Sequence, residues 1–204
     1  MVLRIERGLF NADFVDHHAI LGIAVEAEPK EIRKRYYKIA QRLHPDRLAG
    51  SSEGERQLAQ ELLSKLVNPA WEKLSKEKDL SDYQAVLKLK GQFIARQQET
   101  VVITGDPARR LASSSDITSA YQAALKELSA RQYDSLGEST EIIGLISELN
   151  MVYLMRRETG PASARPTSSP KTTATTGTST TPASTAPPPP PGAGADRSAW
   201  RATD

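Results

Sequence analysis

Apolar residues recur with the spacing of amphipathic helices along most of the chain before Gly160. From residue 30 onward, one set falls at i, i+4, i+7, i+8 and i+11, on one face of a helix: Ile32, Tyr36, Ile39, Ala40 and Leu43. Pro29 suits the first helical position, because its missing N–H would have no partner there. Pro45 cannot continue a helix and biases His44 away from the α region. The pattern therefore predicts a helix over 30–43, followed by a loop running to about Ser52.

A second helical pattern begins near Glu53 and repeats apolar residues every four positions, at Leu58, Leu62, Leu66, Ala70 and Leu74. Pro69 interrupts it, so that either Asn68 caps a new helix or Pro69 kinks a continuous one. We expect the two long helices to form an antiparallel pair. Short flanking helices at His18–Leu21 and Asp79–Tyr83 would close the core.

The remaining chain predicts more helix and then a tail. Val86–Ile94 continues the apolar pattern as one more helix, and residues 100–115 are typical of a connector. Stripes over Ile117–Leu128 and Ile142–Tyr153 predict a second helical hairpin. Two helices bury too little surface alone, so this hairpin should pack on Val86–Ile94, on another copy or on a client. The residues from Gly160 onward are almost all Thr, Ser, Pro, Ala and Gly, which favours disorder.

The predicted fold is therefore all-α, and the chain divides into five parts. These are an N-terminal extension (1–12), a first helical domain (13–83), a helical extension and linker (84–115), the C-terminal hairpin (116–158) and a disordered tail (159–204).

Composition excludes several classes of protein. The chain has no cysteine, which rules out disulfides, cysteine zinc sites and thiol catalysis. No stretch approaches the roughly 20 apolar residues of a membrane span, and the N-terminus lacks the apolar core of a signal peptide, so we expect a cytoplasmic protein. The net charge of +2 argues against a protein that coats nucleic acid generally. The segment from Lys30 to Arg47, however, is locally basic, since it holds seven Lys or Arg and only two acidic residues.

The tripeptide His44-Pro45-Asp46 follows this basic helix directly. Residues 16–23 (DHHAILGI) precede it, and residues 70–74 (AWEKL) and then Tyr83 follow it. In that order and spacing, residues 13–83 resemble the J domain of DnaJ-type co-chaperones. The chain is similar to the class that keeps only the J domain, because it has neither a Gly/Phe-rich region nor zinc-binding cysteines. The resemblance implies binding to a DnaK-type chaperone (heat-shock protein 70) and stimulation of its ATP hydrolysis.

The resemblance also assigns roles to particular residues. His44, Pro45 and Asp46 would be the docking element, with Arg47 beside them. The basic helix would supply contacts to the chaperone from Arg33, Lys34, Lys38, Arg42 and, on the edge of the core, Tyr36. Tyr37 departs from the family, since many relatives carry a basic residue there. Trp71, Tyr83, Ile20 and Leu21 are expected in the core.

No catalytic, cofactor or metal site is predicted. Ser51 and Ser52 have no base at a meaningful spacing, and His17 and His18 would meet His44 only by accident of folding. The protein is therefore expected not to be an enzyme.

Three interpretations stay open at this level. The favoured one is a co-chaperone whose C-terminal helices, 116–158, bring the chaperone to a client or assembly. The alternative is a helical nucleic-acid-binding protein that lays helix 30–43 in a groove, although the His-Pro-Asp loop has no role in that account. In the third, the protein is a scaffold in which the J fold has lost its partner, and the intact tripeptide argues against this. Separately, the basic face could be only a solvated helix surface.

Overall fold

The computed structural model describes residues 3–97 and 102–159, and within these ranges all regular structure is helical, as the sequence predicts. The α-helices are α1 (His17–Leu21), α2 (Pro29–Arg42), α3 (Glu53–Leu62), α4 (Asn68–Ser75), α5 (Glu77–Arg96), α6 (Asp106–Ser113), α7 (Ile117–Arg131) and α8 (Ser139–Thr159). Short 3₁₀ helices lie at Gly8–Ala12, Pro45–Leu48 and Leu136–Glu138. The 45 residues from Gly160 onward, where a tail was predicted, lie outside the described residues.

Helix α2 packs against α4, and the 43–52 loop turns the chain back into α3. Both long helices begin with a reciprocal cap. Glu28 and Glu31 form a capping box on α2, and Ser52 and Glu55 form one on α3. Such caps satisfy backbone N–H groups that have no partner in the first turn. The apolar stripe predicted for α2 is buried at Ile32, Ile39 and Leu43, with Tyr36 and Ala40 half-buried beside it.

The open question at Pro69 is resolved in favour of a continuous helix. Val67 and Asn68 both have right-handed helical backbone angles, and a π-helical turn over Leu63–Val67 directly precedes them. Proline lacks an N–H, and its ring crowds the carbonyl of the preceding turn. A wider turn at that place accommodates the ring without ending the helix.

Two expectations about the middle of the chain need correction. The separate helices expected at Asp79–Tyr83 and Val86–Ile94 are one uninterrupted helix, α5, which passes through the expected boundary at residue 83. The segment interpreted as a connector contains α6, which buries Ala108 and Leu111 and packs on α7 and α8. Gly105 caps this helix and Pro107 lies in its first turn, where proline is well tolerated.

Helix α8 lies at the centre of the fold. Nearly every side chain from Ile142 to Leu154 is buried, and α8 packs against α1, α5, α6 and α7. The N-terminal 3₁₀ helix also packs on it, burying Leu9 completely. Gly8 makes this approach possible, since it has a φ of +62° and a Cβ there would stand 2.3 Å from the backbone N of Glu148. The predicted hairpin thus packs on α5 of the same chain, and residues 1–12 contribute to the core.

Buried polar contacts join the first and last parts of the chain. The carboxylate of Asp16 accepts from the Ala19 N–H at 2.9 Å and from the Asn150 amide at 3.0 Å. Asn150 in turn accepts from the Tyr121 hydroxyl at 2.8 Å. Burial raises the pKa of Asp16, although its hydrogen bonds act in the opposite direction. Residues of 13–83 and 116–158 therefore share one core.

None of the helices in the described ranges is both long enough and apolar enough to cross a membrane.

Candidate functional site

The tripeptide His44-Pro45-Asp46 stands exposed at the end of α2. His44 is extended, with φ −64° and ψ 137°, as a residue before proline should be. Pro45 then opens the 3₁₀ helix Pro45–Leu48. The Nδ1 atom of His44 accepts a hydrogen bond from the Asp46 N–H at 3.3 Å, and it lies 3.6 Å from the Asp46 carboxylate. The imidazole and the carboxylate thus lie side by side on a local turn that leaves both open to a partner.

The loop is anchored on both sides. Leu43, directly before it, is buried, and Leu48 at the end of the 3₁₀ helix is half-buried against the core. Further along, the Arg56 guanidinium donates to the Ser51 carbonyl at 2.8 Å. An exposed loop with anchored ends presents its side chains in a fixed orientation, which lowers the ordering cost of binding.

Three of the predicted contact residues form an open basic face on α2. Arg33, Lys34 and Lys38 are exposed, and none makes an ion pair or hydrogen bond within the described residues. The Arg33 guanidinium lies over the Tyr37 ring, 5.6 Å from its centroid. Tyr37 thus supports the neighbouring cation Arg33 on this face. These charges remain available to an acidic surface.

Arg42 has a different environment from the other predicted contacts. Its guanidinium donates to the Tyr133 carbonyl at 2.6 Å and pairs with the Asp134 carboxylate at 3.0 Å. Arg35, two turns of α2 earlier, is also engaged, with the Leu21 carbonyl at 2.8 Å and the Ser129 carbonyl as acceptors. One edge of α2 is therefore covered by the end of α7 and the turn that follows it. Sequence reasoning missed this contact, since no spacing links residue 42 to residue 134.

Tyr36 is held between the core and the surface. Its ring stacks on Trp71, with centroids 4.6 Å apart, and its hydroxyl donates to the Asn68 side chain at 3.2 Å. Trp71, expected in the core, is half-buried and packs against it. Tyr83 is buried as predicted. Its hydroxyl donates to the Val15 carbonyl and accepts a hydrogen bond from the His17 N–H. Ile20 and Leu21 are fully buried.

The remaining histidines lie away from this surface. His17 and His18 pack against the ring of Tyr83, and both ring nitrogens of His18 lack a hydrogen-bond partner among the described protein atoms. Burial lowers the pKa of His17 to about 4, helped by the charge of Lys73, and it lowers the pKa of His18 to about 3. Within the described ranges, no group of three His, Asp or Glu side chains is arranged to hold a metal ion.

Comparison with known proteins places this surface in a family. The family model of the DnaJ domain matches residues 16–84. Adaptation to cold protein J of Shewanella oneidensis is 36% identical over 64 residues, which are 31% of this chain and 67% of that protein. Chaperone protein DnaJ of Chlamydia trachomatis is 48% identical over 42 residues, or 21% of this chain and 11% of that protein. The Clostridioides difficile protein of the same name is 38% identical over 68 residues, which are 33% of this chain and 16% of that protein.

The chain belongs to the DnaJ-domain family. It spans only about a tenth to a sixth of the length of the DnaJ relatives given above. The family model ends at residue 84, inside α5, so that α6, α7 and α8 lie outside it. No solved structure matches this chain.

Proposed function

We propose that the protein is a co-chaperone that binds a DnaK-type chaperone and stimulates its ATP hydrolysis. The observation that carries the proposal is the exposed, anchored His44-Pro45-Asp46 turn at the end of a basic helix, within the segment that the family model matches. In this account the protein hydrolyses no ATP itself. The turn couples to the partner, and the partner's own active site performs the reaction.

The residues divide into two roles. His44, Pro45 and Asp46 form the docking element, with Arg47 exposed beside them. The open basic face supplies long-range attraction, since cations on a rigid helix raise the association rate with an acidic surface and fix its orientation. Among the proposed contact residues, Arg33, Lys34 and Lys38 are exposed and free to bind the chaperone. Tyr36 is only half-buried, and Arg42 is already paired with Asp134.

The segment beyond the family match would decide where the chaperone is recruited. Helices α7 and α8, within the predicted range 116–158, are proposed to present a surface to a client or assembly. Because α8 is almost entirely buried, that surface would come from the exposed side of α7 and from its connections.

Side-by-side binding measurements test the proposal against the nucleic-acid alternative. The full chain is titrated onto an ATP-loaded DnaK-type chaperone of the source organism and onto duplex DNA, at salt concentrations from about 50 to 300 mM. We expect saturable binding to the chaperone and none to DNA. Binding to DNA alone, falling with a log–log slope of about 0.9 per phosphate contact, would instead establish the alternative.

A further inference from the structure

A cleft of about 910 Å³ opens beside the His-Pro-Asp turn, and its walls come from both parts of the chain. One wall is formed by α2 and the 3₁₀ helix after it, and a second by the first turns of α3. The third wall is the segment Tyr133–Gly137, which connects α7 to α8 and which we call the C-terminal turn. The family model does not include this segment.

The C-terminal turn is held firmly in place. Arg42 binds its first two residues, as described above. The Tyr133 hydroxyl donates to the Ile20 carbonyl at 2.7 Å, and the side-chain amide of Gln132 donates to the carbonyls of Ala19 and Ile20 at 2.8 and 3.0 Å. Tyr133 and Gln132 are both buried. The wall is therefore part of the folded core and keeps its distance from α2.

The charges around the cleft are not balanced locally. Of its two carboxylates, Asp134 pairs with Arg42, and Glu55 accepts a hydrogen bond from the Ser52 N–H at 3.1 Å. Three cations, Lys38, Arg42 and Arg47, therefore face two carboxylates. Lys38 and Arg47, on the opposite wall, make no ion pair within the described residues. Half-buried Leu48, Leu58 and Leu136 supply apolar surface between them. Two available cations above an apolar floor fit an extended acidic segment that also carries apolar side chains.

We propose that the C-terminal turn is part of the docking surface, and that the cleft takes an acidic segment of the DnaK-type chaperone. The inference rests on the proposed function and extends it, because it gives the C-terminal part of the chain a direct contact with the chaperone. The cleft is continuous with the docking element through Arg47, so one bound chaperone reaches both. Arg42 then acts as a positioning residue for the wall.

Gly137 provides a test that leaves the core untouched. It is exposed, its φ is not in the left-handed region, and nothing lies within 4 Å of the place where a Cβ would stand. Gly137→Glu adds a negative charge to the wall, Gly137→Gln adds the same bulk without charge, and Gly137→Lys adds a positive charge. Affinity for the ATP-loaded chaperone should rise in the order Glu, Gln, Lys. The Glu variant should bind about three- to tenfold more weakly than the Gln variant, mainly through a slower association rate.

A crosslinking experiment tests directly whether the C-terminal turn lies next to the bound chaperone. The chain has no cysteine, so Ser135→Cys carries a single thiol for a photo-crosslinker on the exposed part of the C-terminal turn. Ser81→Cys, on an exposed position of α5 that does not line the cleft, is the matched control. Crosslinks to the chaperone should form from position 135 and not from position 81.

The outcomes separate this inference from the proposed function. If the wild type stimulates the chaperone and Asp46→Asn does not, but the three Gly137 variants bind equally, the cleft inference is overturned alone. Tighter binding by the Glu variant than by the Gln variant overturns it as well. If the wild type neither binds nor stimulates the chaperone, both the proposed function and the inference fail.

Discussion

Replacing two fully buried aliphatic side chains of α8 should destabilise residues 13–83, which carry the proposed docking element, as well as the C-terminal part. Ile146 and Leu149 are fully buried, and α8 packs on α1 and α5, which also close the core around α2 and α4. Asn150, the next residue, binds the buried carboxylate of Asp16. A cavity at this place therefore weakens the support of both parts at once.

The expected size of the effect follows from burial. Truncating a buried Leu or Ile to Ala costs about 2–5 kcal/mol, including the cavity that remains. Ile146 and Leu149 are one helical turn apart, so the two losses share surroundings and need not add. Together they should cost about 4–10 kcal/mol, which is most of the roughly 5–15 kcal/mol that stabilises a typical domain. Leu149→Ala alone should leave a folded but weakened protein.

The fluorescence of Trp71 reports the unfolding of residues 13–83 separately from that of the whole chain. Trp71 stacks on Tyr36 in the α2–α4 pair, and Trp200 is the only other tryptophan of the chain. In a Trp200→Phe background, urea unfolding is followed by Trp71 fluorescence and by far-UV circular dichroism. For Leu149→Ala both midpoints should shift together, by the equivalent of about 2–5 kcal/mol. Leu89→Ala, which truncates an exposed leucine of α5, should shift them by less than about 0.5 kcal/mol.

The reasoning is refuted if Leu149→Ala leaves the Trp71 transition in place while the circular dichroism transition splits. That result would mean that 13–83 and 116–158 unfold as independent units despite their shared core.

Three further predictions concern individual side chains or pairs of them. Because the pKa of His18 is about 3 in the folded protein and about 6.5 when unfolded, the unfolded chain binds its proton first, and His18 alone should lower the stability by about 2 kcal/mol between pH 7 and pH 5, with a similar contribution from His17. The raised pKa of Asp16 changes the stability in the opposite direction over this range. The contribution of His18 is therefore measured as the difference between the wild type and His18→Leu, each unfolded in urea at pH 7 and at pH 5. If both proteins lose the same stability between these pH values, the prediction is wrong. Arg35→Met should cost about 2–4 kcal/mol in the same assay, since two carbonyls lose a charged donor, and a loss below about 0.5 kcal/mol would show the contact to be dispensable. Reversing Lys34 and Lys38 to Glu should slow association with the chaperone, with the difference shrinking as salt rises, whereas an unchanged association rate would mark the face as merely solvated.

Much of the geometry of the proposed docking site could be predicted from the sequence because it depends on local rules. The position of Pro45 ends α2, the apolar stripe orients it, and the exposed cations follow from the same periodicity. The environment of Arg42 could not be predicted, because its partner Asp134 is 92 residues away and belongs to an irregular turn. Leu9 was missed for a similar reason, since the pattern around it is too short to indicate a helix. Long-range contacts of isolated residues leave no periodic signal in a single sequence.

The central claim is tested most directly by single-turnover ATP hydrolysis on a DnaK-type chaperone, with the wild type and the Asp46→Asn variant compared. The Asp46 side chain is exposed and outside the core, so the change should leave the melting temperature nearly unaltered. We predict that the wild type accelerates hydrolysis by the chaperone and that the Asp46→Asn protein, equally folded, does not. Equal acceleration by both proteins, or none by the wild type with any DnaK-type chaperone of the source organism, would contradict the account.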